Sequence, residues 1–174
     1  MKKHLLLLTI SPVQSFIAQA RKTQDLYAGS KILSKLVTVA MEETKRLSNT
    51  CEFIFPTFKQ ESKPNRFIAI VEAKDDIQTL GNAIKKHIED YFIYTIGRSI
   101  IHLQINVLEQ LADFLKIYWV ANEYTDEPYK KQIKQLEQHL GATKSIRYFE
   151  QFPEKGRKCA INGEYNVLFY RLKN

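Results

Sequence analysis

Cysteine is scarce in this chain, which has only Cys51 and Cys159 among its 174 residues. Two thiols so far apart do not make the disulfide framework of a small secreted domain, so they favour a reducing compartment. A stretch of about 18 apolar residues, the length needed to cross a membrane, is also missing. Leu5 to Leu8 follow a basic start as in a signal peptide, but this run is too short and breaks at Ser11-Pro12. We therefore expect a cytoplasmic protein with no membrane partner.

Acidic residues are outnumbered, with 19 Asp and Glu against 26 Lys and Arg, which gives a formal net charge of +7. This excess favours contact with nucleic acid, nucleotides or an acidic protein, although solubility alone explains many basic surfaces. Hydrophobic residues make up 44% and charged residues 26%, as in ordinary folded domains. The length suits one domain with a short appendage.

The chain opens with a pattern of strand followed by helix. The aliphatic run from His4 to Ile10 predicts a strand buried on both faces. Ser11 is predicted as a helix N-cap, with Pro12 at the first helical position. Apolar spacing predicts a helix from Val13, a loop at Asp25 to Gly29 pinned by an Arg21–Asp25 pair, and a second helix capped by Ser30.

The next segments complete a recognisable order. Cys51 to Phe55 and Phe67 to Val71 predict a hairpin, and Asp75-Asp76 predicts the start of a helix that runs to about Ile96. Alternating apolar residues at Ile101 to Val107 predict a further strand. The resulting β-α-β-β-α-β order over about residues 4–107 predicts a ferredoxin-like α+β fold with both helices on one face of an antiparallel sheet.

Beyond this order the sequence predicts smaller elements. These are a helix at Leu108 to Leu115, an extended segment at Ile117 to Val120, a charged helix at Glu127 to Leu140 and a strand at Tyr165 to Leu172. We predict a domain over residues 1–125 and a C-terminal helix with a loop and strand over 126–174.

The tail combines cations with aromatic residues. The candidate contact residues are Lys144, Arg147, Tyr148, Arg157 and Lys158. Such a composition is typical of surfaces that bind single-stranded nucleic acid, and equally of a loop docked on an acidic partner.

One segment carries a family resemblance. Ile10 to Ser30, which reads ISPVQSFIAQARKTQDLYAGS, closely resembles the opening motif of the first palm domain in the large subunit of Cmr-type (type III) CRISPR effector complexes. Pro64 to Phe67, Tyr118-Trp119 and Lys158 to Glu164 fit the same family in the same order. The resemblance implies a role in antiviral defence, within an effector complex of several subunits that includes a catalytic palm.

The departures from that family bear on catalysis. The chain has neither the Gly-Gly-Asp-Asp hairpin nor the His-Asp pair of the full subunit, so it corresponds to the first palm alone, as a separately encoded piece, a relic or an excised fragment. Palm nucleotidyl transfer uses two metal ions held by carboxylates at the end of the first strand and in the hairpin. Thr9 to Ser11 and Lys63 to Arg66 hold no carboxylate there. We therefore expect no metal site and no enzyme activity without a partner palm.

The same positions suit phosphate. The predicted helix start over Ser11, Pro12, Val13 and Gln14 offers free N–H groups, and Lys63, Asn65 and Arg66 lie in the hairpin opposite. The alternative is that Ser11 only caps a helix and Asn65 only shapes a turn. We expect no cofactor, apart from an ATP contact made only in complex with a catalytic palm.

The remaining metal candidate is the loop around Cys159. It resembles half of a zinc ribbon, but Asn162 stands where the family has a second cysteine, so four ligands cannot be assembled. Two functions remain open: a scaffolding palm that helps a catalytic palm bind ATP, and a free-standing nucleotide- or RNA-binding regulator derived from that subunit.

Overall fold

The structure is a computed structural model that describes residues 2–14, 20, 22–100, 105–146, 157–159, 163 and 166–167. Its elements are β1 (His4–Ser11), α1 (Thr23–Leu47), β2 (Ser48–Phe55), β3 (Arg66–Ala73), α2 (Ile77–Asp90), a π-helical segment (Tyr91–Gly97), a helical turn (Arg98–Ile100), α3 (Ile105–Phe114), β4 (Lys116–Glu123) and α4 (Tyr129–Ser145).

The four strands form one antiparallel sheet in the order β2-β3-β1-β4. Strand β1 is central, and its Leu7 lies between Ile68 of β3 and Val120 of β4. The predicted hairpin is confirmed, since Cys51 pairs with Val71 across β2 and β3. This order is that of the ferredoxin-like α+β fold, as the sequence predicts.

Both faces of the sheet are covered, which explains the unbroken aliphatic run in β1. Leu6, Leu8 and Ile10 pack against α1 and α2 in the larger core. Leu5 and Leu7 point to the opposite face, where they pack with Leu136 and Leu140 of α4. The C-terminal helix therefore lies on the sheet, while the predicted boundary at residues 125 and 126 stays a prediction.

The fourth strand is not the predicted one. It is Lys116–Glu123, which includes the predicted extended segment, whereas Ile105 to Val107 belong to α3. Residues 101–104 lie outside the described part of the chain. A short apolar run is compatible with the periodicity of a helix and with that of a strand. Lys116–Glu123 is the fourth strand because it pairs with β1 from His4 to Ser11. The ferredoxin-like core thus extends to residue 123 rather than ending at 107.

The predicted loop at Asp25 to Gly29 is also wrong. Helix α1 runs unbroken through it, and Ser30 lies inside the helix rather than capping it. No proline interrupts α1, and Gly29 is buried, so the isolated glycine is tolerated. The Asp25 carboxylate accepts the N–H of Lys22 at 3.1 Å and so caps α1, while Arg21 lies outside the described residues.

The helix predicted from Asp75-Asp76 to about Ile96 is confirmed in its start and its length. Asp76 caps α2 by accepting the N–H groups of Gln78 and Thr79 at 2.8 and 2.9 Å. The helical backbone continues to Gly97 as the π-helical segment. In the tail, Lys158 and Asn166 form an antiparallel bridge, and most of the predicted strand at 165–172 lies outside the described residues. Within the described residues, no helix combines the length and apolar character needed to cross a membrane.

Candidate functional site

The end of β1 meets the start of β3 at Asn65. The N–H of Ile10 donates to the Asn65 carbonyl at 2.8 Å, and the Asn65 side-chain amide donates to the Ile10 carbonyl at 3.0 Å. The same amide nitrogen lies 3.5 Å from the Thr9 hydroxyl. The structure thus brings together the end of the first strand and the hairpin, the two places where a catalytic palm carries its carboxylates. Asn65 closes this junction through its backbone carbonyl and its side-chain amide, and its contact with phosphate stays a prediction.

The segment Ser11 to Gln14 differs from its predicted form. Ser11 is the last residue of β1 and pairs with Lys116 of β4, and Pro12 follows it through a cis peptide bond. Neither is helical, so Ser11 is not an N-cap and Pro12 is not a first helical residue. Gln14 is the first residue in a helical conformation, and residues 15–19 lie outside the described part.

Lys63 and Arg66 point to opposite sides of the sheet. The Lys63 backbone N–H donates to the Ser34 hydroxyl of α1 at 2.8 Å, which places this residue on the side of α1 and α2. The Arg66 guanidinium donates to the Glu137 carboxylate of α4 at 3.3 Å, on the other side. The two residues therefore face different sides of the sheet, and the phosphate contact predicted for them stays a prediction.

Arg66 instead has a second cation near it. The Lys144 ammonium of α4 lies 5.7 Å from the centre of the Tyr118 ring, and Tyr118 is paired with Thr9 on β1. Burial lowers the pKa of Lys144, and the charge of Arg66 lowers it further. Arg66 and Lys144, which the sequence placed on two separate surfaces, are thus electrostatic neighbours at the α4 side of the β1 end.

The sequence alone predicts how Glu137 and Lys144 are placed relative to each other on α4. They are seven residues apart on α4, two helical turns, and so lie on the same side of the helix. What the sequence did not indicate is that α4 lies across the sheet with Glu137 beside Arg66. Both partners of this ion pair are about half exposed, at 44% and 48%, so the pair is weak.

The rest of the basic tail is described only in part. Arg147 and Tyr148 lie outside the described residues. The Arg157 carbonyl accepts the N–H of Val167 at 2.9 Å, beside the bridge of Lys158 to Asn166. The Asn166 carbonyl accepts the side-chain amide of Gln110 at 3.1 Å, which fastens this segment to α3.

Two described residues of the predicted loop around Cys159 are joined by a hydrogen bond. The N–H of Gly163 donates to the Cys159 carbonyl at 2.9 Å, and Gly163 has a φ of 69°, a left-handed conformation that glycine adopts without strain. In the described part of the chain, no three His, Cys, Asp or Glu side chains come together as metal ligands. The expected lack of a metal site stays a prediction.

Comparison with known proteins gives two matches. Residues 5–96, from β1 to the π-helical segment, match the sequence model of the family described as CRISPR-associated protein Cmr2, N-terminal. A protein of Pyrococcus furiosus named CRISPR system Cmr subunit Cmr2 is 31% identical over 108 residues. That alignment covers 51% of this chain and 12% of the relative, so the chain matches only a small part of the relative's length.

Proposed function

The chain belongs to the family of CRISPR-associated protein Cmr2 and matches its N-terminal region, and from this premise we propose that it acts as a non-catalytic palm. In this role it packs against a catalytic palm and other subunits of a Cmr-type effector complex and helps to seat ATP. It makes no product by itself. Complex formation, ATP binding and a place in antiviral defence are parts of this proposal.

The observation that carries the proposal is the composition of the Asn65 junction. A palm that transfers nucleotides needs carboxylates at the end of its first strand and in its hairpin. Here Thr9, Ile10 and Ser11 meet Lys63 to Arg66, and none of these residues is acidic. The Asn65 side-chain amide donates to the Ile10 carbonyl, and the Asn65 carbonyl accepts the N–H of Ile10. A hard cation such as Mg²⁺ finds no charged oxygen ligand among these residues.

The role in ATP binding is supported by the cations on the α4 side of the junction. Among the described residues, Arg66 is held by one exposed ion pair, which a phosphate could replace at little cost. Lys144 is near enough for the charge of Arg66 to lower its pKa, and it has no carboxylate partner among the described residues. Two cations at one sheet edge suit a polyphosphate shared with a second domain.

The proposal is tested by activity and assembly together. The purified chain is mixed with ATP and Mg²⁺ or Mn²⁺, alone and with a catalytic palm, and products are separated by chromatography. We expect no product and no saturable metal binding from the chain alone, and a stable complex with the catalytic palm. A cyclic or linear oligonucleotide made by the chain alone would refute the non-catalytic role. Failure to bind any catalytic palm would refute the scaffolding role.

The second candidate, a free-standing nucleotide- or RNA-binding regulator, is favoured by the net charge of +7. The neighbouring reading frame distinguishes the two. A divided subunit predicts that it encodes a Gly-Gly-Asp-Asp palm, and a free-standing regulator does not.

A further inference from the structure

A second surface lies on the opposite side of the molecule from Arg66 and Lys144. It is formed by the β2–β3 loop where this loop crosses α1, and its centre is Phe58. We call it the Phe58 patch and define it by Phe58, Lys45, Lys63 and Lys59. Lys63 belongs to the loop segment that leads into the Asn65 junction, but its ammonium group lies at Phe58 and Gln60 rather than at Asn65.

The Phe58 ring is anchored on one side and accessible on another. It stacks on Phe53 with ring centres 5.6 Å apart and 27° between the planes. Phe53 in turn packs edge-on against the fully buried Phe67, with centres 5.7 Å apart. Phe58 nevertheless remains 39% exposed. A core-anchored aromatic ring that stays accessible is a preformed stacking platform, because little side-chain freedom is left to lose on binding.

Positive charge surrounds this ring. The ammonium groups of Lys45 and Lys63 lie 5.4 and 6.0 Å from its centre. Lys63 donates to the Gln60 carbonyl, which fixes its position without neutralising it. Lys59 is exposed in the same loop. Among the described residues, none of these three lysines forms an ion pair, and Glu61 is the one acidic residue of the loop over residues 57–63.

The same combination recurs at the other end of α1. Tyr27 is 64% exposed, and the Lys31 ammonium lies 5.5 Å from its ring centre. Lys31 and Lys45 are 14 residues apart, which is nearly four helical turns, so they lie on one side of α1 at a separation of about 21 Å. Lys35 and Glu42 are exposed between them on that side. A row of three lysines, interrupted by Glu42, therefore runs along α1 with an aromatic ring at each end.

From this arrangement we propose that the Phe58 patch binds single-stranded nucleic acid, with a base stacked on Phe58 and neighbouring phosphates held by Lys45 and Lys63. Tyr27 with Lys31 forms a second contact further along the strand. Unpaired ammonium groups suit a polyanion, and exposed rings suit unpaired bases, which stack on aromatic side chains without regard to sequence. A duplex keeps its bases stacked inside and offers none to Phe58. An acidic protein would use the lysines but would have no need of the ring.

The test uses the full chain and a fluorescein-labelled oligouridine of about twelve nucleotides, within the site sizes usual for such surfaces, followed by fluorescence anisotropy. Phe58→Leu keeps an apolar side chain but removes the stacking face, and we expect its Kd to rise about 5- to 100-fold. Phe58→Tyr should bind as wild type does. The double variant Lys45→Gln with Lys63→Gln should reduce the magnitude of the slope of log K against log salt by about 1.4, since each phosphate contact to a single strand contributes about 0.7. Lys131→Gln, which removes a lysine paired with Glu127 on α4, serves as the matched control and should change nothing.

Each outcome of this experiment either supports the proposed binding of single-stranded nucleic acid or overturns it. Loss of binding in Phe58→Leu, retention in Phe58→Tyr and preference for the single strand over a duplex of the same length support the proposal. Equal binding of the duplex overturns it, because the lysines then act without the ring. Wild-type affinity in Phe58→Leu, with thermal unfolding that shows a folded protein, overturns it as well. So does binding of poly-glutamate but not of the oligouridine, which assigns the patch to an acidic protein.

Discussion

The indole ring of Trp119 lies flat against the backbone of Gly81. Trp119 projects from β4 onto the side of the sheet that α1 and α2 cover, and Gly81 lies in the first turns of α2. A Cβ placed on Gly81 would overlap Cε2, Cδ2 and Cζ2 of the indole ring. The absence of a side chain at residue 81 therefore sets how closely α2 approaches β4.

This contact predicts that Gly81→Ala destabilises the fold. The better helix propensity of alanine would gain up to about 1 kcal/mol, but overpacking against a rigid ring costs roughly 1–3 kcal/mol or more. We expect a net loss of about 1–2 kcal/mol in the free energy of unfolding, measured by urea titration. The matched control is Gly141→Ala in α4, where a Cβ meets nothing within 4 Å, and this change should stabilise by up to about 1 kcal/mol. Equal effects at the two glycines would contradict the packing argument.

The same contact shows which parts of the fold the sequence could predict. Asp76 caps α2 by local hydrogen bonds, and the apolar period of α2 is unbroken, so this helix was predictable from its own residues. Trp119 lies in the strand that was predicted only as an extended segment. Its place in the sheet depends on pairing with Leu8 of β1, which is distant in the sequence. Local alternation at Ile101 to Val107 favoured the wrong segment, because no local signal reports on such pairing.

The candidate site also has features that the sequence predicts and features that it does not. Topology alone predicted that Thr9 to Ser11 would meet the hairpin, since these segments end at one edge of a ferredoxin-like sheet. The direction of Arg66 depends on the register of β3, in which Arg66 lies opposite Thr9. A shift by one residue would exchange the two faces, and the sequence does not fix this register. The approach of α4 to Arg66 is likewise a tertiary contact.

A buried carboxylate predicts how stability depends on pH. Glu43 of α1 has only 8% of its side chain exposed, and it accepts hydrogen bonds from Arg46 at 2.7 and 2.6 Å. The bond from Arg46 lowers the pKa of Glu43 despite its burial. A lowered pKa in the folded state means that this contribution is present above about pH 4.5 and is lost as the pH falls through the folded value.

Glu43→Gln should therefore lower the urea midpoint at pH 7 by an amount equivalent to about 1 kcal/mol. It should also reduce the loss of stability that the wild type shows on acidification below pH 4.5. Glu127→Gln, which breaks the exposed pair with Lys131 on α4, is the control and should change stability by less than about 0.5 kcal/mol. A Glu43→Gln variant with an unchanged acid profile would show that Arg46 contributes nothing to this dependence.

The burial of Cys51 in β2 predicts that its thiol is alkylated slowly. Desolvation raises the pKa of Cys51 to about 11, although the charge of Lys45 opposes the shift. Only the thiolate reacts with alkylating reagents, so at pH 8 Cys51 in a Cys159→Ala variant should react on the order of a hundredfold more slowly than free cysteine. Labelling with iodoacetamide followed by mass spectrometry measures this rate. The same variant unfolded in urea should react at the rate of free cysteine. A fast reaction in the folded state would mean that β2 opens readily.

The last prediction concerns ATP and the cations beside α4. In complex with a catalytic palm, Arg66→Ala should raise the Kd for ATP by about 10- to 100-fold, the usual cost of one charge-assisted contact. Lys144→Ala should have an effect in the same direction, because its ammonium lies on the same side of the sheet. The isolated chain offers only part of a pocket and should bind ATP weakly, with a Kd on the order of millimolar.

A substitution of Glu137 should have the opposite effect on the Kd for ATP. Its carboxylate holds the Arg66 guanidinium at 3.3 Å, so Glu137→Gln frees the guanidinium and removes a negative charge near the phosphates. Binding of ATP in the complex should then tighten by a few-fold, consistent with the small energy of an exposed ion pair. Lys131→Gln on the same helix should leave the Kd unchanged. If Arg66→Ala and Glu137→Gln both leave the Kd unchanged while the complex still forms, Arg66 only fastens α4 to β3, and this palm contributes to the complex as a scaffold.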